Sequence, residues 1–241
     1  LEVKRAVFNG GKLIVANPRE IGLVRFADLW LNQRPGSDVA LLMGMMRVIV
    51  DEGLMDSSFI EKRCENFDAF KESLQGFGLD SVEQITGVPG EQIAEAARTY
   101  ATHKPANILF GMGITQHTHG TDNVLAIANL AMLTGNIGQP ATGVNPLRGQ
   151  NNVQGACDMG ALPNVYSGYQ SVTDSTIKEK FEAAWGGGLN SSTGLTLTEI
   201  FEAAYEGQIK ALYLIGENPV LSDPDAKHVW ESLEKLEFLV A

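Results

Sequence analysis

The sequence predicts an α/β fold built on parallel strands, in two successive domains. Short runs of aliphatic and β-branched residues alternate with longer segments of helical periodicity, which is the order of elements expected for parallel sheets. Three of the short runs end in turns rich in glycine, asparagine or proline. The composition agrees with this class, because 44% of the 241 residues are hydrophobic and 20% are charged, as in ordinary globular proteins.

The first part of the chain contains two strand-like runs, each followed by a turn. Leu13–Ala16 (LIVA) is predicted to be a buried strand that ends in the turn Asn17–Arg19 (NPR). Leu29–Gln33 is a second run of this kind, and it leads into Pro35-Gly36. A helix-like piece precedes the first strand.

Helical periodicity dominates the next hundred residues. Ser37 or Asp38 can cap a long helix that Gly53 ends. The apolar face of this helix consists of Val39, Leu42, Met43, Met46, Ile49 and Val50. Further helices are expected over Asp56–Arg63, over Asp68–Leu74, and after Gly87-Val88-Pro89 with Ile93, Ala96, Ala97 and Tyr100 on the inner side.

The pattern that follows is a strand, a glycine turn and a helix. Ala106–Phe110 is a predicted strand, Gly111-Met112-Gly113 is the turn, and Thr121–Leu133 is the helix. This unit is typical of a doubly wound parallel sheet. Residues 1–148 are therefore predicted to form a parallel-sheet, dinucleotide-binding-like α/β domain.

The residue composition and the periodicity of the sequence change between Gly135 and Gln170. Glycine, asparagine and proline are frequent there and periodicity fades, which indicates a functional loop or a domain junction. The elements predicted after it are helix Ile177–Trp185, a flexible connection at Gly186–Gly188, helix Leu197–Tyr205, strand Ala211–Ile215, the turn Gly216–Pro219, a helix from Asp223 or Pro224 to Leu236, and strand Phe238–Val240. Residues 149–241 are therefore predicted to be the beginning of a second α/β domain. Since the chain stops within a predicted strand, we expect it to be a fragment of a longer protein.

Composition excludes several classes of partner. The formal net charge of −11 argues against a nucleic-acid partner, because phosphate binding requires a basic surface. No apolar run is long enough to span a membrane, so no direct membrane insertion is expected. Cys64 and Cys157 are too far apart in sequence to form a CxxC metal site and are predicted to be buried thiols. No metal site is predicted within the chain: His117 and His119 are expected to belong to a hydrogen-bonded turn.

Four segments are candidates for binding an anion or a nucleotide. In parallel sheets, ligands bind beyond the carboxyl ends of strands and at helix N-termini. Three turns occupy that position, namely Asn17–Arg19, Gly111–Gly113 and Gly216–Asn218, and Gly36-Ser37-Asp38 is a helix N-terminus. Asp38 is either a plain helix cap or an acceptor for the amino edge of a guanine, and Asn17 can accept from a ribose hydroxyl. The absence of a GxGxxG motif disfavours a standard nicotinamide site.

Arg148 is a candidate for binding substrate. It lies in NPLRGQNN, where neutral amides surround it and no acid follows before Asp158. An arginine in such a loop forms either a structural ion pair or a bidentate contact to a carboxylate or phosphate.

The residues that follow Arg148 resemble a known sequence pattern. The run RGQNNVQGACDMGALPNVYSGYQ (Arg148–Gln170) resembles the signature of formate dehydrogenases in the superfamily of bis-(molybdopterin guanine dinucleotide) oxidoreductases. The resemblance covers nearly the whole chain. It includes KLIVANPRE, RPGSDVALLMGM, ITGVP, LFGMGITQHTHG, LTGNIG and LIGENP.

The resemblance implies a role for each candidate segment. The turn with Asn17, Arg19 and Ile21 and the segment Gly36-Ser37-Asp38 would hold the guanosine end of one pterin cofactor. Met112, Gly113 and Gln116 would lie along a cofactor near the metal; Arg148, Gly149 and Gln150 would line the metal site; and Gly216, Glu217 and Asn218 would contact the second pterin nucleotide. Asn17 stands where many relatives carry an aspartate, which affects only the strength of that contact.

The resemblance also implies a reaction and partners. Formate would be oxidised to carbon dioxide at molybdenum or tungsten, with Arg148 orienting formate and with electrons passing to a 4Fe-4S cluster bound outside this chain. The metal-ligating cysteine or selenocysteine would lie upstream, so the fragment alone is expected to be inactive. The implied partners are formate, other domains of the same subunit and electron-transfer subunits. The compartment stays open, with the cytoplasm favoured over the periplasm.

The sequence leaves one alternative open, which is a protein without catalytic activity. The chain could be a non-catalytic α/β scaffold or nucleotide-binding domain of a related electron-transfer complex. The intact Arg148-Gly149-Gln150 stretch distinguishes the two, because a purely structural relative has no chemical reason to keep it.

Overall fold

A computed structural model describes residues 1–241 and divides them into two compact units. The first unit is Leu1–Gly149 and the second is Gln150–Ala241. The division into functional domains after residue 148 stays a prediction.

The first unit contains two pairs of parallel strands. Strand β1 (Ile14–Ala16) pairs with β2 (Leu29–Leu31). Strand β3 (Asn107–Phe110) pairs with β4 (Gly143–Pro146). In each parallel pair the last residues of the two strands lie opposite one another. The segments that follow the two strands therefore lie side by side.

Eight α-helices surround these strands. They are α1 (Glu2–Phe8), α2 (Asp38–Asp51), α3 (Ser57–Arg63), α4 (Phe67–Ser73), α5 (Leu79–Thr86), α6 (Gly90–Thr102), α7 (Met112–Thr115) and α8 (Gly120–Leu133). Short 3-10 turns cover Val24–Phe26 and Leu74–Gly76.

Helix α2 is the centre of the first core and packs against α5, α6 and α8. Met46 and Ile49 of α2 are fully buried. The approach of α2 to α5 is close, because a Cβ atom added at Gly44 would lie 2.9 Å from Cγ1 of Val82. Helix α8 supplies Ala126 and Leu130 to the same core. The strand pairs therefore pack on a helical core centred on α2. Of the apolar face predicted for this helix, Met46, Ile49 and Val50 are buried, whereas Val39, Leu42 and Met43 are only partly buried. Leu41, Met45 and Val48, which were not predicted, are buried instead.

The second unit contains one antiparallel and one parallel strand pair. Strands β5 (Val165–Tyr166) and β6 (Gln170–Ser171) form a short hairpin. Strands β7 (Ala211–Tyr213) and β8 (Phe238–Val240) are parallel, and helices connect them in a β–α–β unit. The helices of this unit are α9 (Val153–Asp158), α10 (Ser175–Trp185), α11 (Leu197–Tyr205), α12 (Pro219–Ser222) and α13 (Ala226–Glu234).

Polar side chains define where the longer helices of the second unit begin. Asp174 accepts hydrogen bonds from the backbone of Thr176 and Ile177 at the start of α10. Thr196 and Glu199 form a capping box at α11, and Asp225 caps α13. The pKa of Glu199 is lowered because its carboxylate accepts hydrogen bonds from the backbone and side chain of Thr196.

The mixed α/β class with parallel strands is confirmed, but one expectation about the sheets is wrong and two segments contain elements that were not predicted. The strands form four separate two-stranded sheets, not one doubly wound sheet. The segment Gly135–Gln170, predicted to be a functional loop or a domain junction, contains β4, α9, β5 and the start of β6, and the boundary between the two units falls within it. Helix α5 was not expected, since the next predicted helix began only after Gly87.

The two cysteines also differ from expectation. Cys64 and Cys157 are both free thiols, and both are partly exposed instead of fully buried. None of the helices combines the length and the hydrophobicity needed to cross a membrane.

Candidate functional site

The turn after β1 is fixed by hydrogen bonds from its own backbone and from β2. The backbone N–H of Asn17 donates to the carbonyl of Leu31 (3.0 Å), which extends the parallel pair by one residue. The indole Nε1 of Trp30 donates to the carbonyl of Asn17 (2.9 Å), and Oδ1 of Asn17 accepts from the N–H of Arg19 (2.8 Å). Asn17 and Ile21 are partly buried, whereas Arg19 is exposed. One face of this turn is therefore anchored while the Arg19 side faces solvent.

The segment after β2 makes a tight turn into α2. The N–H of Ser37 donates to the carbonyl of Arg34 (3.2 Å), and Gly36 between them has φ +83°. With Pro35 at the second position this is the sequence of a type II turn, which requires glycine at the third. Ser37 lies at the N-cap, but its hydroxyl donates to the carbonyl of Arg34 (2.7 Å) and does not cap the helix.

Asp38 begins α2 as a buried carboxylate. Only 7% of its surface is exposed, and its Oδ1 accepts a hydrogen bond from Nε2 of Gln33 (3.0 Å). An acidic side chain in the first helical turn is favoured by the helix dipole. Sequence reasoning did not single out Gln33. The only signal was its position two residues after Leu31, on the core-facing side of the strand.

Arg34 holds the same turn against α5. Its guanidinium donates to the carbonyl of Gln84 (2.5 Å) and to that of Ile85, and its backbone N–H donates to the carbonyl of Thr86 (2.8 Å). These contacts use the C-terminal carbonyls of α5, which lack partners within the helix. The unpredicted helix α5 thus supports a predicted site segment.

The second group of site residues lies at the carboxyl end of the β3–β4 pair. Phe110 is in register with Pro146, and the N–H of Leu147 donates to the carbonyl of Phe110 (2.6 Å). Gly111 and Arg148 therefore follow adjacent strand ends. A Cβ atom added at Gly111 would lie 3.6 Å from the carbonyl oxygen of Leu147. The structure brings the Gly111 turn and the Arg148-Gly149 stretch together at one edge.

Helix α7 presents this turn to solvent. Met112 is 67% exposed, and Gly113 and Gln116 are exposed as well. The turn is held from behind by Nδ2 of Asn123 in α8, which donates to the carbonyl of Ile114 (2.8 Å). His117 contributes a second tie, since a ring N–H donates to the carbonyl of Gly113 (2.9 Å). Asn123, like Gln33, was not singled out from the sequence.

The contact between α7 and α8 leaves no room for a side chain at Gly120. A Cβ atom added there would lie 2.0 Å from the carbonyl oxygen of Thr115. The backbone of the two helices therefore touches directly. This contact fixes the direction in which the Met112–Gln116 segment leaves the strand.

The third group lies in the second unit, after β7. The N–H of Leu214 donates to the carbonyl of Val240 (2.8 Å), and Gly216 has φ +64°. Glu217 and Asn218 are exposed, and Asn218 is the N-cap of α12. The predicted residues therefore form three groups at three strand ends: Asn17–Asp38, Met112–Gly149, and Gly216–Asn218. Gln150 is exposed and opens the second unit.

A separate groove lies between α3 and α4 and contains none of the predicted site residues. Its lining includes Met55, Ile60, Cys64 and Phe67. Loss of hydration raises the pKa of the Cys64 thiol above its ordinary value. The neutral thiol is thus the favoured form in the folded protein.

This shift predicts a slow reaction of Cys64 with alkylating reagents. The folded protein keeps Cys64 protonated at a pH where the unfolded chain already ionises. The stability that this shift contributes is fully present below the unfolded pKa and is lost as the pH rises through the folded pKa. We expect iodoacetamide at pH 8 to modify Cys64 more slowly in the folded protein than in urea. Mass spectrometry of the Cys64 peptide over time measures both rates, and equal rates would contradict the prediction.

Comparisons with known proteins match the whole chain to one family. The sequence profile of the family described as Molybdopterin oxidoreductase matches residues 1–241. The F420-dependent formate dehydrogenase subunit alpha of Methanocaldococcus jannaschii is 48% identical over 238 residues, which are 99% of this chain and 35% of that protein. Formate dehydrogenase H of Escherichia coli is 46% identical over 233 residues, covering 96% of this chain and 33% of its own length.

A solved structure shows the same fold. The acetylene hydratase of Pelobacter acetylenicus matches with a TM-score of 0.70 and 24% identity, over 99% of this chain and 35% of that chain. At this identity the likeness concerns the fold alone. The chain spans about a third of the length of the curated relatives that it matches.

Proposed function

Because the chain belongs to the molybdopterin oxidoreductase family, we propose that it is a segment of the catalytic subunit of a formate dehydrogenase, which oxidises formate to carbon dioxide. The observation that carries the proposal is the position of Arg148-Gly149 beside the Gly111 turn at the carboxyl end of β3–β4. This is where parallel strands bind ligands. The formate dehydrogenase names of the similar relatives support the choice of substrate.

The residues present fit a bis-(molybdopterin guanine dinucleotide) cofactor carrying molybdenum or tungsten. At Gly36, Gly113, Gly149 and Gly216 an added Cβ atom would meet nothing within 4 Å, so the space in front of each is open to a ligand. Gly113 and Gly149 have ordinary backbone angles, so the fold itself does not require glycine there. When bound, such a cofactor supplies a metal that accepts the electrons of the substrate.

The two strand ends of the first unit have different proposed roles. The Asn17–Ile21 turn with Arg19 and the segment Gly36–Asp38 hold the guanosine end of one pterin. Asp38 offers a carboxylate oxygen to the amino edge of guanine, and Asn17 offers its amide to the ribose. Met112, Gly113 and Gln116 lie along the cofactor closer to the metal. In the second unit, Gly216, Glu217 and Asn218 contact the second pterin nucleotide. Gly149, which ends the first unit, and Gln150, which begins the second, line the metal site.

Arg148 is the proposed substrate-orienting residue. Its planar guanidinium can donate two parallel hydrogen bonds to the formate carboxylate. Such a contact fixes the direction of the C–H bond, and release of carbon dioxide leaves one proton and two electrons. The guanidinium also stabilises the negative charge of the carboxylate during the reaction.

The rest of the machinery is proposed to lie in the rest of the parent protein. The metal-ligating cysteine or selenocysteine and the 4Fe-4S cluster belong there, because neither Cys64 nor Cys157 matches the family's ligands. Such a cluster would supply the route by which electrons reach electron-transfer subunits. We favour the cytoplasm over the periplasm as the compartment.

The proposal is tested on the full-length protein by its metal, its nucleotide and its activity. We expect one molybdenum or tungsten atom and two GMP released by acid hydrolysis per subunit, together with formate-dependent reduction of a viologen dye. A full-length protein that contains no pterin nucleotide would refute the proposal and favour the non-catalytic scaffold.

The isolated 241-residue chain gives a further prediction. Residues of this chain supply only part of the walls of each proposed cofactor site, so we expect the purified chain to hold no metal and no pterin and to be inactive toward formate. Elemental analysis and fluorescence of oxidised pterin measure this. Stoichiometric molybdenum or tungsten in the purified chain would contradict it.

A further inference from the structure

Two buried amide oxygens have no hydrogen-bond partner in this protein. They are Oε1 of Gln33, whose residue is 4% exposed, and Oδ1 of Asn123, whose residue is fully buried. A buried acceptor without a partner is unfavourable, and folded proteins contain few of them. An apolar side chain at either position would avoid the cost. The amides therefore need an explanation.

The donor side of each amide is used, and its orientation is fixed by its partner. Nε2 of Gln33 donates to the carboxylate of Asp38 (3.0 Å), and Nδ2 of Asn123 donates to the carbonyl of Ile114 (2.8 Å). A carboxylate and a carbonyl can only accept, so the NH2 group must face them and the oxygen must point away. Because each NH2 group faces its acceptor, each amide oxygen is turned away from it and has no partner.

Both donors act on a segment beyond a strand end. Gln33 lies two residues after Leu31 and is buried like it. Its side chain reaches Asp38, the first residue of α2, next to the Gly36 turn. Asn123 reaches from α8 into the middle of α7, between Met112 and Gln116. The two strand ends are separate, yet each shows the same arrangement: a buried amide donates to a residue of the segment that follows the strand, and its own acceptor stays unpaired.

We propose that Gln33 and Asn123 are positioning residues that hold Asp38 and the Met112–Gln116 turn in the geometry that receives the cofactor, at the expense of two unpaired buried acceptors. The inference rests on the proposed function. Violations of ordinary packing rules are expected at such places, because a functional geometry is kept against a small loss of stability. A purely structural role predicts the reverse, namely that removing either amide lowers the stability of the protein without affecting the cofactor.

Gln33→Leu tests the first residue in the full-length protein. The apo form comes from a host that cannot make the pterin, and the loaded form from one that can. We expect the melting temperature of the apo form to fall only slightly, because the buried Asp38 carboxylate loses this donor while removal of the unpaired acceptor offsets part of that cost. Release of GMP-containing cofactor from the loaded form in mild urea should be about tenfold faster, as for loss of one hydrogen bond to a charged group. Asn32→Leu is the control, since Asn32 is the neighbouring amide and is exposed.

The outcomes separate this inference from the proposed function. Wild-type protein that releases no GMP would overturn the proposed function. Loaded wild-type protein together with unchanged release from Gln33→Leu would overturn only the role of Gln33. If apo Gln33→Leu had a lower melting temperature while cofactor release from the loaded form stayed unchanged, the role of the Gln33 amide would be purely structural.

Asn123→Leu tests the second residue by hydrogen exchange. Loss of the hydrogen bond from Asn123 to the carbonyl of Ile114 should raise the hydrogen-exchange rates of the backbone N–H groups of Ile114 and Gln116 by roughly tenfold. The core residues of α8, such as Leu130, should keep their protection. Asn129→Leu is the matched control on the same helix, and Asn123→Ala replaces the first variant if leucine disturbs the packing. Unchanged protection at Ile114 and Gln116 would overturn the role of Asn123.

Discussion

Replacing Arg148 by lysine in the full-length protein is expected to lower formate turnover per bound metal about 100-fold, while the fold and the cofactor content stay unchanged. Lysine keeps the positive charge but donates to a carboxylate from one point, whereas the guanidinium provides two parallel hydrogen bonds. Arg148→Ala should lose more activity, because it removes the charge as well. The measurement is turnover divided by the molybdenum or tungsten content of each preparation.

A surface arginine provides the control for this variant. Arg98 forms a bidentate pair with Glu52, with Nε to Oε2 at 2.9 Å and Nη2 to Oε1 at 2.7 Å. This pair lies on the surface, so Arg98→Lys should change neither turnover nor stability by a measurable amount. If Arg148→Lys retains full turnover per metal but loses stability or cofactor, Arg148 is a structural residue and has no role in orienting formate.

Gly120→Ala is expected to destabilise the protein by about 3 kcal/mol, at the upper end of the usual range for overpacking. The new Cβ atom would lie 2.0 Å from the carbonyl oxygen of Thr115, and backbone on both sides has to move. Because α7 carries Met112 and Gln116, the same movement should lower the cofactor content. Melting temperature and GMP content of the full-length protein measure the two effects.

Gly113→Ala is the matched control in the same turn. Its Cβ atom would meet nothing within 4 Å and its backbone angles are ordinary, so stability should change by less than about 0.5 kcal/mol. A drop in cofactor content of Gly113→Ala without loss of stability would support close approach of the ligand to this backbone. A Gly120→Ala variant as stable as the wild type would mean that α7 and α8 are not in direct backbone contact at this position.

Local signals in the sequence were sufficient for many of the elements. Helix α11 has its predicted bounds because Thr196 and Glu199 form a capping box, and β8 was found from its apolar run. The family resemblance is also confirmed by the match over residues 1–241. In these segments the local preference and the final structure agree.

Other elements depend on partners distant in sequence. Strand β4 contains Gly143, with φ +133°, and Pro146, which local rules assign to turns, and it forms because it pairs with β3. The same limit applies to the site. Gln33 and Asn123 are ordinary polar residues in the sequence, and only their burial and hydrogen bonds set them apart. The positions of Arg148 and the other predicted contacts relative to a bound cofactor stay predictions.

The pairing of strands has a consequence for synthesis of the protein. Each of the three parallel pairs joins two strands that are consecutive along the chain, β1 with β2, β3 with β4, and β7 with β8. Such local topology allows a pair to close soon after its second strand has left the ribosome, without waiting for distant parts of the polypeptide. The three turns proposed to contact the cofactor can therefore form one after another during translation, each as soon as its own strand pair has closed.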